Sequence, residues 1–338
     1  MSGHLEPYLA AIEDELRDIV SAPSPELGAF YDMMAYHLGW LDADLRPAAA
    51  YSGKRIRPLL CLLACEAAGG DWHTALPAAA ALELVHNFSL IHDDIEDNSP
   101  TRRGRPTLWR LWGPPQGINT GDGMLVLACQ ALTRASSRGV EAVTVQTAIE
   151  ILQGTILSLC HGQYLDISFQ GRLDVGEEDY LRMIGGKTAS LLAASAQLGA
   201  LFGGAGDRTE HYRQFGWNLG LAFQMADDIL GIWGDPALTG KPAADDLLNH
   251  KMTLPVIFAL RQGAEGQELA AIYRQERLSD QDVSRALAPL ERVGARDYAQ
   301  NLAAHYETAA IAALQAAARP PAAEHLRALA ASLTGRQR

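Results

Sequence analysis

Residues 92–106 read His92-Asp93-Asp94-Ile95-Glu96-Asp97-Asn98-Ser99-Pro100-Thr101-Arg102-Arg103-Gly104-Arg105-Pro106. A tight acidic cluster comes straight after an apolar helical run, and a tight basic cluster follows it. Carboxylates this crowded repel one another unless a cation sits among them. Arginines this close to a cation site point to a polyanion that both groups share, and the simplest is a diphosphate bridged to protein by Mg²⁺. Acidic residues favour the N-terminus of a helix, whereas this cluster ends its run. Such a placement argues for a function that compensates for it.

The run before the cluster puts His86, Ser89, Asp93 and Asp97 on one stripe by the three-four spacing, with Asp94 and Glu96 flanking it. Oxygen ligands from one turn suit Mg²⁺, which takes one or two carboxylates per site and keeps several waters. A second acidic pair, Asp227-Asp228, also ends an apolar helix. Gln224 shares a face with Asp228, and Asp235 would share it if the helix continued. Two carboxylate-bearing helix ends in a helical bundle make a two-sided metal clamp. Basic residues stand at loop-like positions: Gly53-Lys54-Arg55-Ile56-Arg57-Pro58, Gly186-Lys187-Thr188, Gly240-Lys241-Pro242 and Lys251. A glycine there lets the backbone approach an anion.

The elements that must carry these residues are helical almost throughout. Apolar residues recur at spacings of three and four over 5–20, 30–45, 58–68, 77–95, 124–135, 140–167, 180–200, 212–233, 254–260 and 298–318. Alternating β-branched runs are missing, so no sheet is expected. Nothing has the composition of a linker, which predicts a single all-α domain over residues 1–338. The Ala-rich tail, 308–333, reads as a helical hairpin bent at Pro320-Pro321. Residues 188–206 are uncharged over a near-membrane length but contain Ser190, Ser195, Gln197 and several glycines, as a helix buried in a bundle would. No membrane span or secretory signal is expected. A net charge of −12 argues against nucleic acid or an anionic membrane as partner. Cys61, Cys65, Cys129 and Cys160 lack zinc-site spacing and fit reduced thiols in a cytoplasmic protein.

These motifs, taken in order, resemble the trans-isoprenyl diphosphate synthases, or polyprenyl synthetases. The resemblance covers residues 53–255 and rests on the Gly53-Lys54-Arg55 segment, Asp93-Asp94-Ile95-Glu96-Asp97 with Arg102-Arg103-Gly104, Gly186-Lys187-Thr188, Asp227-Asp228, and Gly240-Lys241 with Asp246 and Lys251. It implies an isoprenoid synthase-type helical bundle around a central cavity, usually a homodimer. It also implies head-to-tail joining of isopentenyl diphosphate to an allylic diphosphate. Carried over, Asp93, Asp94, Asp97, Asp227 and Asp228 would hold Mg²⁺, three ions in all, on the allylic diphosphate. Arg102, Lys187, Lys241 and Lys251 would grip that diphosphate. Lys54, Arg57, His86 and Arg103 would grip isopentenyl diphosphate, and Gln224 and Thr188 would lie near the developing cation. Where the family's second motif carries a third aspartate, this chain has Gly231; water or Asp235 would supply the missing ligand.

Product length in this family is set by bulk above the first motif. An aromatic at the fifth position before it, here Phe88, with a small residue at the fourth, here Ser89, resembles short-chain synthases making geranylgeranyl diphosphate, with farnesyl diphosphate next. A helical wheel nonetheless puts Ser89, rather than Phe88, on the face of Asp93. Rival functions are a class I terpene cyclase, an HD-type phosphohydrolase and a non-catalytic subunit. The cyclase would want an Asn/Ser/Glu metal triad where Asp227-Asp228 stands and has no use for the second diphosphate that Lys54, Arg57 and Arg103 imply; the phosphohydrolase leaves Arg102-Arg103-Gly104 and the second acidic pair unexplained; the third would not keep the first acidic motif.

Overall fold

The computed structural model describes residues 2–50, 53–235, 244–275, 277–318 and 320–335. Its residues form two compact units. The first comprises Met1–Gln153, Ser195–Thr209 and Ala318–Ala322, and the second Gly154–Ala194, Glu210–Ala317 and Ala323–Arg338. Among the described residues the elements are helices and short helical turns, with one small hairpin.

In the first unit, α1 (Ser2–Ile19), α2 (Gly28–His37), α3 (Ile56–Ala68) and α4 (Leu76–Glu96) are followed by the hairpin strands β1 (Thr101–Arg102) and β2 (Arg105–Pro106), then α5 (Leu108–Trp112) and α6 (Pro114–Thr133). The centre is α4, packed on α3 and α6. Its residues Ala78, Ala79, Ala81, Leu82, Leu84 and Val85 have no exposed surface. Because α4 is enclosed nearly all round, its sequence is apolar nearly all round rather than striped.

The chain continues through α7 (Ala142–Phe169), α8 (Glu177–Ile184), a π-helical turn (Gly185–Ala189), α9 (Ser190–Phe202) and α10 (Thr209–Trp233). Short helices Asp245–Leu248 and Leu254–Ala259 follow, then Gly263–Tyr273, Asp280–Arg292, Ala295–Ala317 and Ala322–Thr334. The core of the second unit gathers Tyr180, Met225, Ile229, Leu254, Ile257 and Leu269 among others.

Several expectations change. The stretch 30–45 does not stay helical, because α2 ends at His37 and the chain then turns through Gly39 (φ 86°) and Leu45 (φ 59°). α6 begins ten residues before the periodic run 124–135, with Pro114-Pro115 in its first turn, where proline is tolerated because the first amides lack partners. The hairpin was not expected. Arg103 (φ 53°) and Gly104 (φ 73°) both take the left-handed conformation of a type I′ turn, and Arg102 then pairs with Arg105. Gly263–Tyr273 and Asp280–Arg292 were also missed. The tail bends where expected: helices end at Ala317 and restart at Ala322, and Thr334 Oγ1 donates to Glu307 Oε1 at 2.8 Å. Most of 188–206 is buried, as a bundle helix should be. Trp72–Glu96 and Ala142–Phe169 have the length and hydropathy of a membrane span, with 78% of the first window buried in the protein and 28% of the second.

Candidate active site

In the first unit the acidic motif ends α4. Asp97 caps the helix, its amide donating to Asp93 O at 2.9 Å, so Asp93 and Asp97 stand one turn apart. The pair Asp93-Asp94 divides its roles. Asp93 keeps 21% of its side chain exposed, whereas Asp94 keeps 3% and faces inward. Arg102 spans both, donating through Nε to Asp94 Oδ1 at 2.8 Å and through Nη2 to Asp93 Oδ2 at 3.3 Å. Burial pushes the Asp94 carboxyl up to about 6 despite that guanidinium.

The hairpin that presents Arg102 and Arg103 is tied to α2. Arg105 donates to Tyr36 O at 3.0 Å and Leu41 O at 2.6 Å and lies 4.0 Å over the Tyr36 ring, while the Tyr36 hydroxyl donates to Pro106 O at 2.7 Å. At its turn, Arg103 reaches the Gly53 loop: a Cβ on Gly53 (φ 99°) would lie 2.9 Å from Arg103 Nη2. Gly53 is thus required twice, by its backbone angle and by the guanidinium beside it. Arg55, also left-handed at φ 48°, turns the other way and is buried against Glu13 and Glu83, with bonds of 2.7–2.9 Å. It anchors the loop that carries Lys54 and Arg57.

Arg57 Nε is buried with no hydrogen-bond partner, and loss of water pushes the guanidinium down to about 10, so it stays charged at neutral pH. His86 is held well below its usual range by burial and then by Arg57, Arg103, Arg102 and His37. The imidazole is neutral, amid positive charge. His37 was not singled out from the sequence. Its Nε2 is buried without a partner, and it lines a small cavity with Asp94, Arg102 and Arg103. A lone histidine in an amphipathic run carries no sequence signal.

In the second unit, Lys187 and Thr188 lie in the π-helical turn, a distortion common at functional sites. Two glycines allow it: a Cβ on Gly162 would lie 2.7 Å from Lys187 Cα, and one on Gly186 would lie 2.6 Å from Ser158 O. The backbones therefore touch, and Asp166, one turn beyond Gly162, accepts from Lys187 Nζ at 2.6 Å and Lys251 Nζ at 3.2 Å. Burial opposes it, but the two lysines hold the Asp166 carboxyl below its ordinary range. Asp166 was missed because a single acid in a long helix has no spacing signal.

Asp227 is exposed and Asp228 is 5% exposed. Asp228 Oδ2 accepts from the Tyr180 hydroxyl at 2.7 Å and the Leu254 amide at 3.2 Å, and Oδ1 accepts from Gln224 Nε2 at 3.0 Å. Gln224 Oε1 in turn accepts from Thr188 Oγ1 at 2.7 Å. Burial, then Asp246, push the Asp228 carboxyl up to about 7. The Gly231 vacancy has an occupant. A Cβ there would lie 2.5 Å from Asp246 Cγ, inside that carboxylate. Asp235 does not continue the face of Asp228 on α10, since the helix ends at Trp233 and Asp235 stands exposed beyond it. Lys241 lies outside the described residues.

Upstream of the first motif, Phe88 is 5% exposed and meets His92 edge-on at 5.7 Å, and His92 Nε2 lies 3.2 Å from Ile118 O of α6. Ser89 Oγ donates to His86 O at 2.8 Å.

Among the described residues, no three His, Cys, Asp or Glu side chains converge as a protein-only metal site. Mg²⁺ is usually held by one or two carboxylates plus substrate phosphates. The exposed Asp97 and Asp227, with the half-buried Asp93, fit such a role.

A polyprenyl synthetase family model matches residues 39–290, extending beyond both ends of the motif-bearing segment. The chain is 47% identical over 292 residues to a geranylgeranyl diphosphate synthase of Mycobacterium tuberculosis, covering 86% of this chain and 82% of that one. It is 42% identical over 285 residues to a (2E,6E)-farnesyl diphosphate synthase of Mycobacterium bovis, covering 82% and 78%. The crystal structure of a polyprenyl synthetase from Streptomyces coelicolor superposes with a TM-score of 0.87 at 36% identity, covering 98% and 97%. With the motifs, the all-α architecture and these matches in agreement, the chain belongs to the polyprenyl synthetase family.

Proposed function

We propose that the protein is a Mg²⁺-dependent short-chain trans-prenyltransferase that condenses isopentenyl diphosphate with an allylic diphosphate, making geranylgeranyl diphosphate. The observation that carries this is the cluster of Arg57, Arg103 and His86 beside the side-chain-free Gly53. Two guanidinium groups and a neutral imidazole, with one buried donor unpaired, suit a second diphosphate. A cyclase or phosphohydrolase, acting on one phosphorylated substrate, has no need of it.

Lys54, Arg57, His86 and Arg103 bind isopentenyl diphosphate. Arg102, Lys187, Lys241 and Lys251 bind the allylic diphosphate, and their charges stabilise the leaving anion as the allylic C–O bond ionises. Mg²⁺, three ions by family resemblance, would be held by Asp93, Asp97 and Asp227 within the two acidic motifs and would neutralise the departing diphosphate. Gln224 and Thr188 turn oxygen atoms toward the developing cation. The isopentenyl double bond attacks that cation, and a proton then leaves to the released diphosphate. Phe88 limits the length of the product. The two units act as one catalytic domain over residues 1–338, and two copies associate as a homodimer. The exposed apolar side chains of Leu157, Tyr164 and Ile167 on α7, with Tyr164 at 70% exposure, support the association. The enzyme works in the cytoplasm.

The test is incubation with Mg²⁺, isopentenyl diphosphate and each of dimethylallyl, geranyl and farnesyl diphosphate, followed by chromatography of the dephosphorylated alcohols. A C20 product is expected, and failure to condense with any starter refutes the assignment.

A further inference from the structure

We propose that Tyr180 and Asp228 form a hydrogen-bond tether that sets the orientation of Gln224 and Thr188, so that Asp228 acts on the reacting carbons through Gln224 and is not a metal ligand. This rests on the prenyltransferase assignment and deepens it.

The case is one of donor and acceptor direction. Both oxygens of Asp228 accept, Oδ2 from the Tyr180 hydroxyl and the Leu254 amide and Oδ1 from Gln224. Asp228 Oδ1 therefore forces the NH₂ of Gln224 toward itself, at 3.0 Å, and the carbonyl Oε1 must face the opposite way. There the Thr188 hydroxyl donates to it at 2.7 Å. The hydrogens of both hydroxyls are then spent, that of Tyr180 on Asp228 and that of Thr188 on Gln224. What Gln224 and Thr188 still offer from their oxygens is lone pairs. These stabilise a neighbouring carbocation electrostatically, whereas a misdirected amide N–H would repel it.

Asp228 is also badly placed to bind an ion. Its carboxylate is 5% exposed and already accepts from Tyr180, the Leu254 amide and Gln224. Magnesium demands near-octahedral oxygen geometry at short range and would displace at least one of these donors. Asp227, its exposed neighbour, carries no such burden. In the first motif Arg102 bridges both acids, and Asp94 is turned in at 3% exposure while Asp93 keeps 21% of its side chain exposed. Tyr180 is fully buried at 0% exposure, and its hydroxyl fixes the far side of the carboxylate.

Asp228→Asn tests the tether with minimal change of shape. Its amide oxygen must take the place facing Tyr180 and the Leu254 amide, so its NH₂ faces Gln224. Gln224 then flips and turns its own NH₂ toward Thr188. Expected is a fall in kcat of about a hundredfold, the scale for losing one oriented dipole, with KM for both substrates within about twofold. Binding of Mn²⁺ in the presence of inorganic diphosphate, read by electron paramagnetic resonance, should be unchanged in Asp228→Asn. Asp227→Asn should weaken that binding by roughly tenfold or more. Gln224→Glu restores an acceptor both toward the introduced amide and toward Thr188, so the double variant Asp228→Asn/Gln224→Glu should recover activity relative to Asp228→Asn. Tyr180→Phe, which removes one hydroxyl, should lower kcat by about tenfold with Mn²⁺ binding intact, and it covers the case in which Asp228→Asn fails to fold. A loss of Mn²⁺ binding in Asp228→Asn equal to that in Asp227→Asn overturns the proposal, as does full kcat in Asp228→Asn or in Tyr180→Phe. If the wild-type protein condenses nothing, the prenyltransferase assignment falls instead, and the tether with it.

Discussion

Asp166 holds two of the lysines assigned to the allylic diphosphate before any diphosphate arrives, so Asp166→Asn should weaken the ligand-free protein far more than the loaded one. Lys187 Nζ and Lys251 Nζ lie 2.6 and 3.2 Å from the same oxygen, which keeps the two ammonium groups within about 6 Å of each other. At roughly 5 Å and an effective dielectric constant of about 20, their mutual repulsion is about 3 kcal/mol once the carboxylate charge is gone. The lost charge-assisted bonds are worth about 1.5–3 kcal/mol each. Solvent reaches 28% and 21% of the lysine side chains, and their freedom to swing apart offsets much of this. A net loss of about 3 kcal/mol remains, or about 4 °C in Tm for a chain of this size. Inorganic diphosphate with Mg²⁺ supplies the missing negative charge, and the gap to wild type should then close by at least half. Differential scanning fluorimetry with and without diphosphate measures both quantities. An equal loss in the two conditions, or no loss, refutes the idea that Asp166 stands in for the substrate's charge. The pH sign follows from the lowered carboxyl: the stabilisation is complete above the ordinary carboxylate range and is lost as pH falls through the lowered value.

Gly231→Asp, which restores the family's third aspartate, should impair the protein, because the new side chain enters the Asp246 carboxylate; a loss of about 1–3 kcal/mol and lower activity are expected. Removing the clash in Gly231→Asp/Asp246→Gly should recover stability, and a Gly231→Asp variant as stable as wild type would contradict the overlap. Phe88→Ala should lengthen the product chain and cost about 3–5 kcal/mol, since Phe88 is 5% exposed; an unchanged product spectrum removes Phe88 as the limit. In metal-free buffer, Asp94 and Asp228, pushed up to about 6 and about 7, bind protons in the folded state that the unfolded chain releases. Stability should therefore rise as pH falls from 8 toward 5 and be lost as pH rises through 6 to 7, and Asp228→Asn should flatten that slope in urea titrations.

The residue order alone determined the helical class, the two acidic helix ends and the basic loops, because periodicity and local charge are properties of neighbouring residues. It also identified the family, because several motifs recur in order over most of the chain. It could not separate Asp93 from Asp94 or Asp227 from Asp228. Adjacent residues on a helix point about 100° apart, and only packing decides which one meets solvent. Nor could it show that Arg55 anchors the loop that offers Lys54 and Arg57, since the deciding partners, Glu13 and Glu83, lie far off in the chain. The same holds for His37, Asp166 and Tyr180, each unremarkable among its neighbours. Gly231 makes the contrast plainest. In sequence it is a missing aspartate, and in the folded chain it is the space that a carboxylate fifteen residues later requires.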